Sequence, residues 1–257
     1  MKTGIKIALS IALLSSLSYG GESFAMSDSD RAMYAEMLDN NPADIMIESG
    51  NELLQEFGGG DAGLAAFLKV SEDDLAAYIA GFPRYLEDFK QVVGLDQVLQ
   101  GLMHKNGHKP FELKSSKMFD MSAYAKSLAN GEKINIDVNA NEHMKKAYEM
   151  GKINYMTPRG GRGLACNSCH SPEVIGLVLR TQPLPDITSK GVAVAATWPA
   201  YRMTKSSLRT LPRRFQGCMN NALLKVIPLG SEEMVALEVY LTQEAKGTEI
   251  AIPGLKR

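Results

Sequence analysis

Cys166-Asn167-Ser168-Cys169-His170 reads C-x-x-C-H, the attachment signature of a c-type haem. Two thiols at this spacing can each form a thioether to one haem vinyl group. The residue that follows, His170, then lies under the iron as proximal ligand. A zinc site would need two further ligands, and no second Cys pair lies nearby. Two amphipathic helices bracket the motif. One is expected over residues 141–155, with Met144, Ala147, Tyr148 and Gly151 on one stripe. The other is expected from Ser231, a good N-cap, to Lys246, with Gly247 as its stop. Two helices around C-x-x-C-H form the frame of a class I cytochrome c. The stretch 176–200, with Pro183, Pro185 and Pro199, reads as a loop wrapping the haem.

The N-terminus fits this chemistry. Lys2 and Lys6 precede an apolar run from Ile7 to Leu17, and Ser23-Phe24-Ala25 resembles a signal-peptidase site. Residues 1–25 therefore read as a cleaved secretory signal, which points to the periplasm. No other stretch is apolar for the roughly 18 residues of a membrane span. Covalent haem attachment is expected in an exported protein, where free thiols also tend to oxidise. The chain has 3 Cys. The haem takes two, and Cys218 is left over.

The net charge of −1 hides a split. Residues 26–103 hold 4 Lys and Arg against 15 Asp and Glu, while residues 104–257 hold 22 against 13. Asp186 is the one acidic residue between Val174 and Ser231, beside eight basic ones. That cationic stretch surrounds Cys218 and would attract small anions or acidic partners. A nucleic-acid partner is not expected, because basic-aromatic motifs are absent.

The chain also repeats itself. Phe82-Pro83-Arg84-Tyr85 recurs as Trp198-Pro199-Ala200-Tyr201, and Gln100-Gly101-Leu102-Met103 as Gln216-Gly217-Cys218-Met219, both at an offset of 116. The ungapped match carries 13 identities over 50 positions. Gly50 pairs with Gly151, and Gly63-Leu64-Ala65 with Gly163-Leu164-Ala165, at a shorter offset. The expected fold is mainly α, with two tandem class I cytochrome c-like domains from an internal duplication. Residues 26–130 form the first, residues 131–140 the linker, and residues 141–257 the haem domain. The first copy lacks both haem cysteines and the histidine, and has Leu102 where the second has Cys218. The haem motif and Cys218 are thus absent together and present together.

Candidates for the far side of the iron are Met203, Met219, Met234, His143 and Cys218. Met219 and Met234 have counterparts, Met103 and Met118, in the copy without haem, so ligation cannot be their shared purpose. Cys218 is favoured. Pro212 opens a helix that would set Arg214 and Cys218 at i and i+4, on one face. A guanidinium there favours the thiolate and can hold an oxyanion in its fork of donors.

C-x-x-C-H at 166–170, W-P-x-Y at 198–201, R-R-x-x-x-C-M at 213–219, G-S-E-E-M-V-A-L-E-V-Y-L at 230–241 and F-P-R-Y-L-E-D-F at 82–89 together resemble the SoxA family, the cytochrome subunits of thiosulfate-oxidising SoxAX complexes. The resemblance implies an L-cysteine S-thiosulfotransferase subunit, in which thiosulfate is joined oxidatively to a cysteine of a SoxYZ-like carrier. Electrons would pass to haem c and on to a small SoxX-like cytochrome, in a heterodimer or with a further small subunit. It implies one haem c on Cys166 and Cys169, axial ligands His170 and Cys218, Cys218 as sulfur-bearing catalytic residue, and Arg214 as thiosulfate-binding residue. Many relatives have a second C-x-x-C-H in the first domain. This chain has none and resembles the single-haem type. Two other functions remain open: a monohaem electron carrier with His/Met ligation, and a tetrathionate-forming thiosulfate dehydrogenase.

Overall fold

The protein is mainly helical in a computed structural model that describes residues 28–179 and 182–256. The proposed signal segment lies outside the described residues. The helices are α1 (Asp28–Asp39), α2 (Asp44–Gly58), α3 (Gly60–Leu68), α4 (Leu75–Ile79), α5 (Leu95–Lys105), α6 (Ser116–Ser127), α7 (Glu142–Met156), α8 (Leu211–Asn221) and α9 (Glu232–Glu244). The short strands are β1 (Arg84–Leu86), β2 (Gln91–Val93), β3 (Val178–Leu179), β4 (Gln182–Pro183), β5 (Ala200–Arg202), β6 (Ser207–Arg209) and β7 (Gly254–Lys256). Among the described residues, no helix is long and apolar enough to cross a membrane.

Each half is built on one helix crossing closed by a glycine. In the first, α2 crosses α6 at Gly50, where a Cβ would overlap the Asp120 carbonyl and crowd Tyr124. In the second, α7 crosses α9 at Gly151, where a Cβ would overlap the Ala236 carbonyl and crowd Tyr240. Ser115 caps α6 by accepting from Met118 N at 3.2 Å, and Ser231 caps α9 by accepting from Met234 N at 3.3 Å. Such caps satisfy an otherwise orphaned helix N–H and contribute about 1 kcal/mol each.

The offset of 116 seen in the sequence orders the structure as well. The hairpin β1–β2 pairs Arg84 with Val93, and β5–β6 pairs Ala200 with Arg209. The Gln100 amide donates to Phe111 O at 2.7 Å, and that of Gln216 to Ile227 O at 2.8 Å. Lys90 and Ser206 both turn their hairpins in the left-handed region, at φ 52° and 46°.

Two local readings change. The run Gly58-Gly59-Gly60 reads as a loop in the sequence, yet Gly58 ends α2 and Gly60 begins α3, with Gly59 alone between them and both Gly59 and Gly60 left-handed, at φ 77° and 70°. Gly63-Leu64-Ala65 is helical in α3, whereas Gly163-Leu164-Ala165 lies in an irregular turn leading to Cys166. Three matching residues carry too little local preference to fix the backbone, so the surrounding packing decides it.

The halves are not separate bodies. Most of their buried side chains form one continuous cluster, and a small second one joins Ala43, Phe119 and Ala123 of the first half to Leu208 of the second. Residues 131–138 are bound into the fold: Ile134 N donates to Thr248 O at 2.9 Å, Ile250 N donates to Glu132 O at 2.9 Å, and Ile134 and Ile136 are buried. The C-terminal strand β7 pairs with β5, while the Tyr34 hydroxyl of α1 donates to Leu255 O at 2.6 Å.

Candidate functional site

The C-x-x-C-H stretch forms a tight turn after α7. Cys169 N and His170 N both donate to Cys166 O, at 3.1 and 3.0 Å, and the Ser168 hydroxyl accepts from Ala165 N at 3.0 Å. This winding gathers both thiols and the imidazole. Tyr155, in the last turn of α7, donates its hydroxyl to His170 O. Burial is the main cause that holds the Tyr155 phenol protonated above its ordinary range.

His170 is oriented by the long loop that follows it. Its Nδ1 lies 2.9 Å from Pro185 O. A carbonyl can only accept, so Nδ1 carries a proton, and Nε2 is the ring nitrogen left for another partner. Metal-ligating histidines are commonly fixed in this way. The ring is also hydrogen bonded to the thiol of Cys218.

Cys218 is carried on α8, which opens as expected: Thr210 at the N-cap, Pro212 in the first turn. The Arg214 guanidinium lies along the helix, with Nη1 3.8 Å from where a Cβ on Gly217 would stand. Burial raises the Cys218 thiol, but the His170 hydrogen bond and the charges of Arg214, His170 and Arg202 outweigh it and bring it below the ordinary thiol value. Cys166 goes the other way, pushed up to about 11 by burial and then by Cys218. All three cysteines are free and partly exposed.

The remaining candidates disperse. Met219 is buried, and its Sδ accepts from Ile227 N at 3.4 Å. Met234 is wholly buried at the start of α9. Met203 is exposed in a 3-10 turn. His143 stacks on Tyr85 at 4.2 Å in the contact between the halves. Three contributors were not anticipated: the Pro185 carbonyl, Tyr155, and Arg202, which follows the W-P-x-Y segment. Only Arg202, a cation next to a repeated motif, left a trace in the sequence.

The donor set fits a c-type haem. Two free thiols and one oriented imidazole lie on a single turn, with the Cys218 thiol hydrogen bonded to that imidazole. Among the described residues, no group of three or more His, Cys, Asp or Glu is placed to hold a bare metal ion. The counterpart region of the first half is filled instead. Leu102 is buried, and Gly101 packs against Phe67 and Phe89, whose rings meet edge to face at 6.2 Å.

Residues 63–134 match the family model "SoxA/TsdA, cytochrome c domain", which falls on the half without C-x-x-C-H. The chain is 28% identical over 274 residues to the L-cysteine S-thiosulfotransferase subunit SoxA of Hydrogenophilus thermoluteolus, covering 98% of this chain and 99% of that protein. It is 30% identical over 185 residues to the SoxA subunit of Allochromatium vinosum, covering 72% of this chain and 64% of that one. Its fold matches a chain of the crystal structure of SoxXA from P. pantotrophus with a TM-score of 0.72, at 19% identity, over 88% of this chain and 84% of that one. Residues 63–134 are therefore similar to a SoxA/TsdA cytochrome c domain, and the chain is similar to the SoxA subunits along nearly its whole length.

Proposed function

We propose that this protein is a single-haem SoxA-type L-cysteine S-thiosulfotransferase subunit of the periplasm. Cys166 and Cys169 would hold one haem c through thioethers, with His170 and Cys218 as its axial ligands. When bound, the haem supplies the acceptor for electrons released in S–S bond formation. The first half would be a copy of the same cytochrome fold whose haem space is taken by side chains such as Phe67, Phe89 and Leu102. Residues 26–130 and 141–257 are then the duplicated domains, joined by residues 131–140.

The facing pair of His170 and Cys218, with Arg214 and Arg202 beside the thiol, carries this reading. The arginines favour the thiolate and offer forked donors to the sulfonate oxygens of thiosulfate. A bond from Cys218 Sγ to the outer sulfur of thiosulfate forms with loss of two electrons. A thiolate of a SoxYZ-like carrier then attacks that sulfur, and Cys218 leaves as thiolate. The net change is thiosulfate plus carrier thiolate giving carrier S-thiosulfonate and two electrons. A SoxX-like cytochrome is the partner that would receive them.

A tetrathionate-forming thiosulfate dehydrogenase is the second reading, favoured by the shared SoxA/TsdA domain model. It would turn over thiosulfate without a carrier. A plain electron carrier with Met ligation would rest on Met203, which is exposed in a 3-10 turn, since Met219 and Met234 are committed to the core.

Mass spectra of the Cys218 peptide, before and after thiosulfate, test the lead reading. A sulfur adduct that thiol reductant removes is expected. Full carrier-dependent turnover by Cys218→Ala would sink the catalytic role.

A further inference from the structure

A small cavity of about 40 Å³, lined by polar and apolar side chains and by none of the cysteines, lies at the seam between the halves. Lys126, Ser122 and Asp96 line it from the first half; Glu238, Thr242 and Thr210 line it from the second. The lining follows the repeat. Ser122 corresponds to Glu238 at the offset of 116, Lys126 to Thr242, and Phe82 to Trp198. At the two polar pairs one half supplies an ionisable group and the other a hydroxyl. A relic of a shared core would instead present like groups.

Ser122 and Thr210 are only 3% and 4% exposed, and neither Ser122 Oγ nor Thr210 Oγ1 has a hydrogen-bond partner. Buried hydroxyls are seldom left unpaired, and a cavity of this size with several polar groups has room for water. Lys126 Nζ donates to Ile79 O at 3.3 Å. Asp96 Oδ1 and Glu238 Oε2 both lie 3.0 Å from where a Cβ on Gly94 would stand, so the two carboxylates crowd one spot. Fully ionised, the three groups carry a net charge of −1, and one proton makes them neutral. Arg84, on β1, is the further charge acting on Lys126.

The cavity also touches the elements that position the haem ligands. Thr210 and Pro212 begin α8, and Cys218 lies about 12 Å further along that helix at 1.5 Å per residue. Trp198 ends the loop that starts at His170. An electron added to the haem half makes it more negative, and an ionised carboxylate in a dry interior feels that change strongly.

We propose that Asp96, Glu238 and Lys126 form a buried proton-binding site around internal water, which binds a proton from solvent more tightly when the haem of the second half holds an electron. The electron comes from an electrode or, in turnover, from thiosulfate–thiol coupling. This rests on haem being held at Cys166, Cys169 and His170. In support, burial raises both carboxyls, with Asp96 adding to the rise at Glu238, and burial lowers Lys126 to about 8.

The test is an electrode titration of the haem-loaded protein against pH, without thiosulfate or carrier, so a lost slope and a lost turnover are read separately. The wild-type potential is expected to fall as pH rises near neutrality, and Glu238→Gln and Asp96→Asn are expected to flatten that slope. An unchanged slope in both overturns the proposal. Redox-difference infrared spectra of the wild type give a reading that needs no variant to fold. A deuterium-sensitive band of a protonated carboxyl is expected, and its absence overturns the proposal too.

Discussion

Gly151 of α7 lies directly against the carbonyl of Ala236 on α9, and Gly50 of α2 meets Asp120 of α6 in the same way. A methyl at either glycine would overlap main-chain atoms, which cannot rotate aside as a side chain can. Overpacking of this kind costs typically 1–3 kcal/mol. Gly151→Ala is therefore expected to lower the denaturant midpoint, and Gly50→Ala to do the same in the first half. Equilibrium unfolding of the two variants checks this. A midpoint unchanged in both would show that the helices part without cost.

Leu223 ends the turn after α8 at φ 57°, with its side chain exposed. Its counterpart at the offset of 116 is Gly107, at φ 80°. A left-handed conformation costs a residue with a Cβ roughly 1–2 kcal/mol, while glycine adopts it freely but gains more freedom on unfolding. Leu223→Gly is expected to stabilise the fold by about 0.5–1 kcal/mol net. A calorimetric scan with the melting point at or below that of the wild type would contradict it.

Much of the site could be read from the sequence because its signals are local. C-x-x-C-H specifies its own turn, Pro212 and Ser231 mark helix starts, and the i, i+4 spacing brings Arg214 beside Cys218. Pairing Cys218 with His170 needed the repeat, because 48 residues separate them and only their joint loss from the first copy linked them. The Pro185 carbonyl was illegible, since any residue offers a carbonyl and only the fold of the loop selects one. The seam cavity was illegible for a related reason: Ser122, Glu238, Lys126 and Thr242 match no motif, and they meet only when two helix pairs pack together. Glycines mislead where helix and loop both tolerate them, as at Gly58-Gly59-Gly60.

Asp120 gives a pH dependence away from the haem. Burial raises its carboxyl from the ordinary value of 3.8 to about 6. The native state therefore holds this proton to higher pH than the unfolded chain does. Between roughly pH 4 and 6 the folded protein binds more protons, so this group's contribution to stability falls as pH rises through that window. Asp120→Asn removes the charge and keeps the shape. It is expected to stabilise the protein at pH 7 by up to about 1 kcal/mol, a figure reduced for solvent screening at this half-exposed site. The gain should shrink toward zero below pH 4. Unfolding curves at pH 4 and 7 decide it, and equal effects at both would remove the titration as the cause.

Arg214 distinguishes anion binding from thiol tuning. Its guanidinium acts on Cys218 electrostatically, and a planar fork of donors suits a sulfonate. Arg214→Lys keeps the charge near the thiol but loses the fork, while Arg214→Ala loses both. Charge-assisted hydrogen bonds contribute about 1.5–3 kcal/mol, or roughly ten- to a hundredfold in kcat/KM. The lysine variant is expected to show most of its loss as a higher KM for thiosulfate, with the haem spectrum unchanged. The alanine variant should add a lower kcat and an altered spectrum, because Cys218 loses a charge that favours its thiolate. Should both variants keep a wild-type KM, thiosulfate would be held elsewhere, and Arg202, the other arginine acting on Cys218, would become the residue to change next.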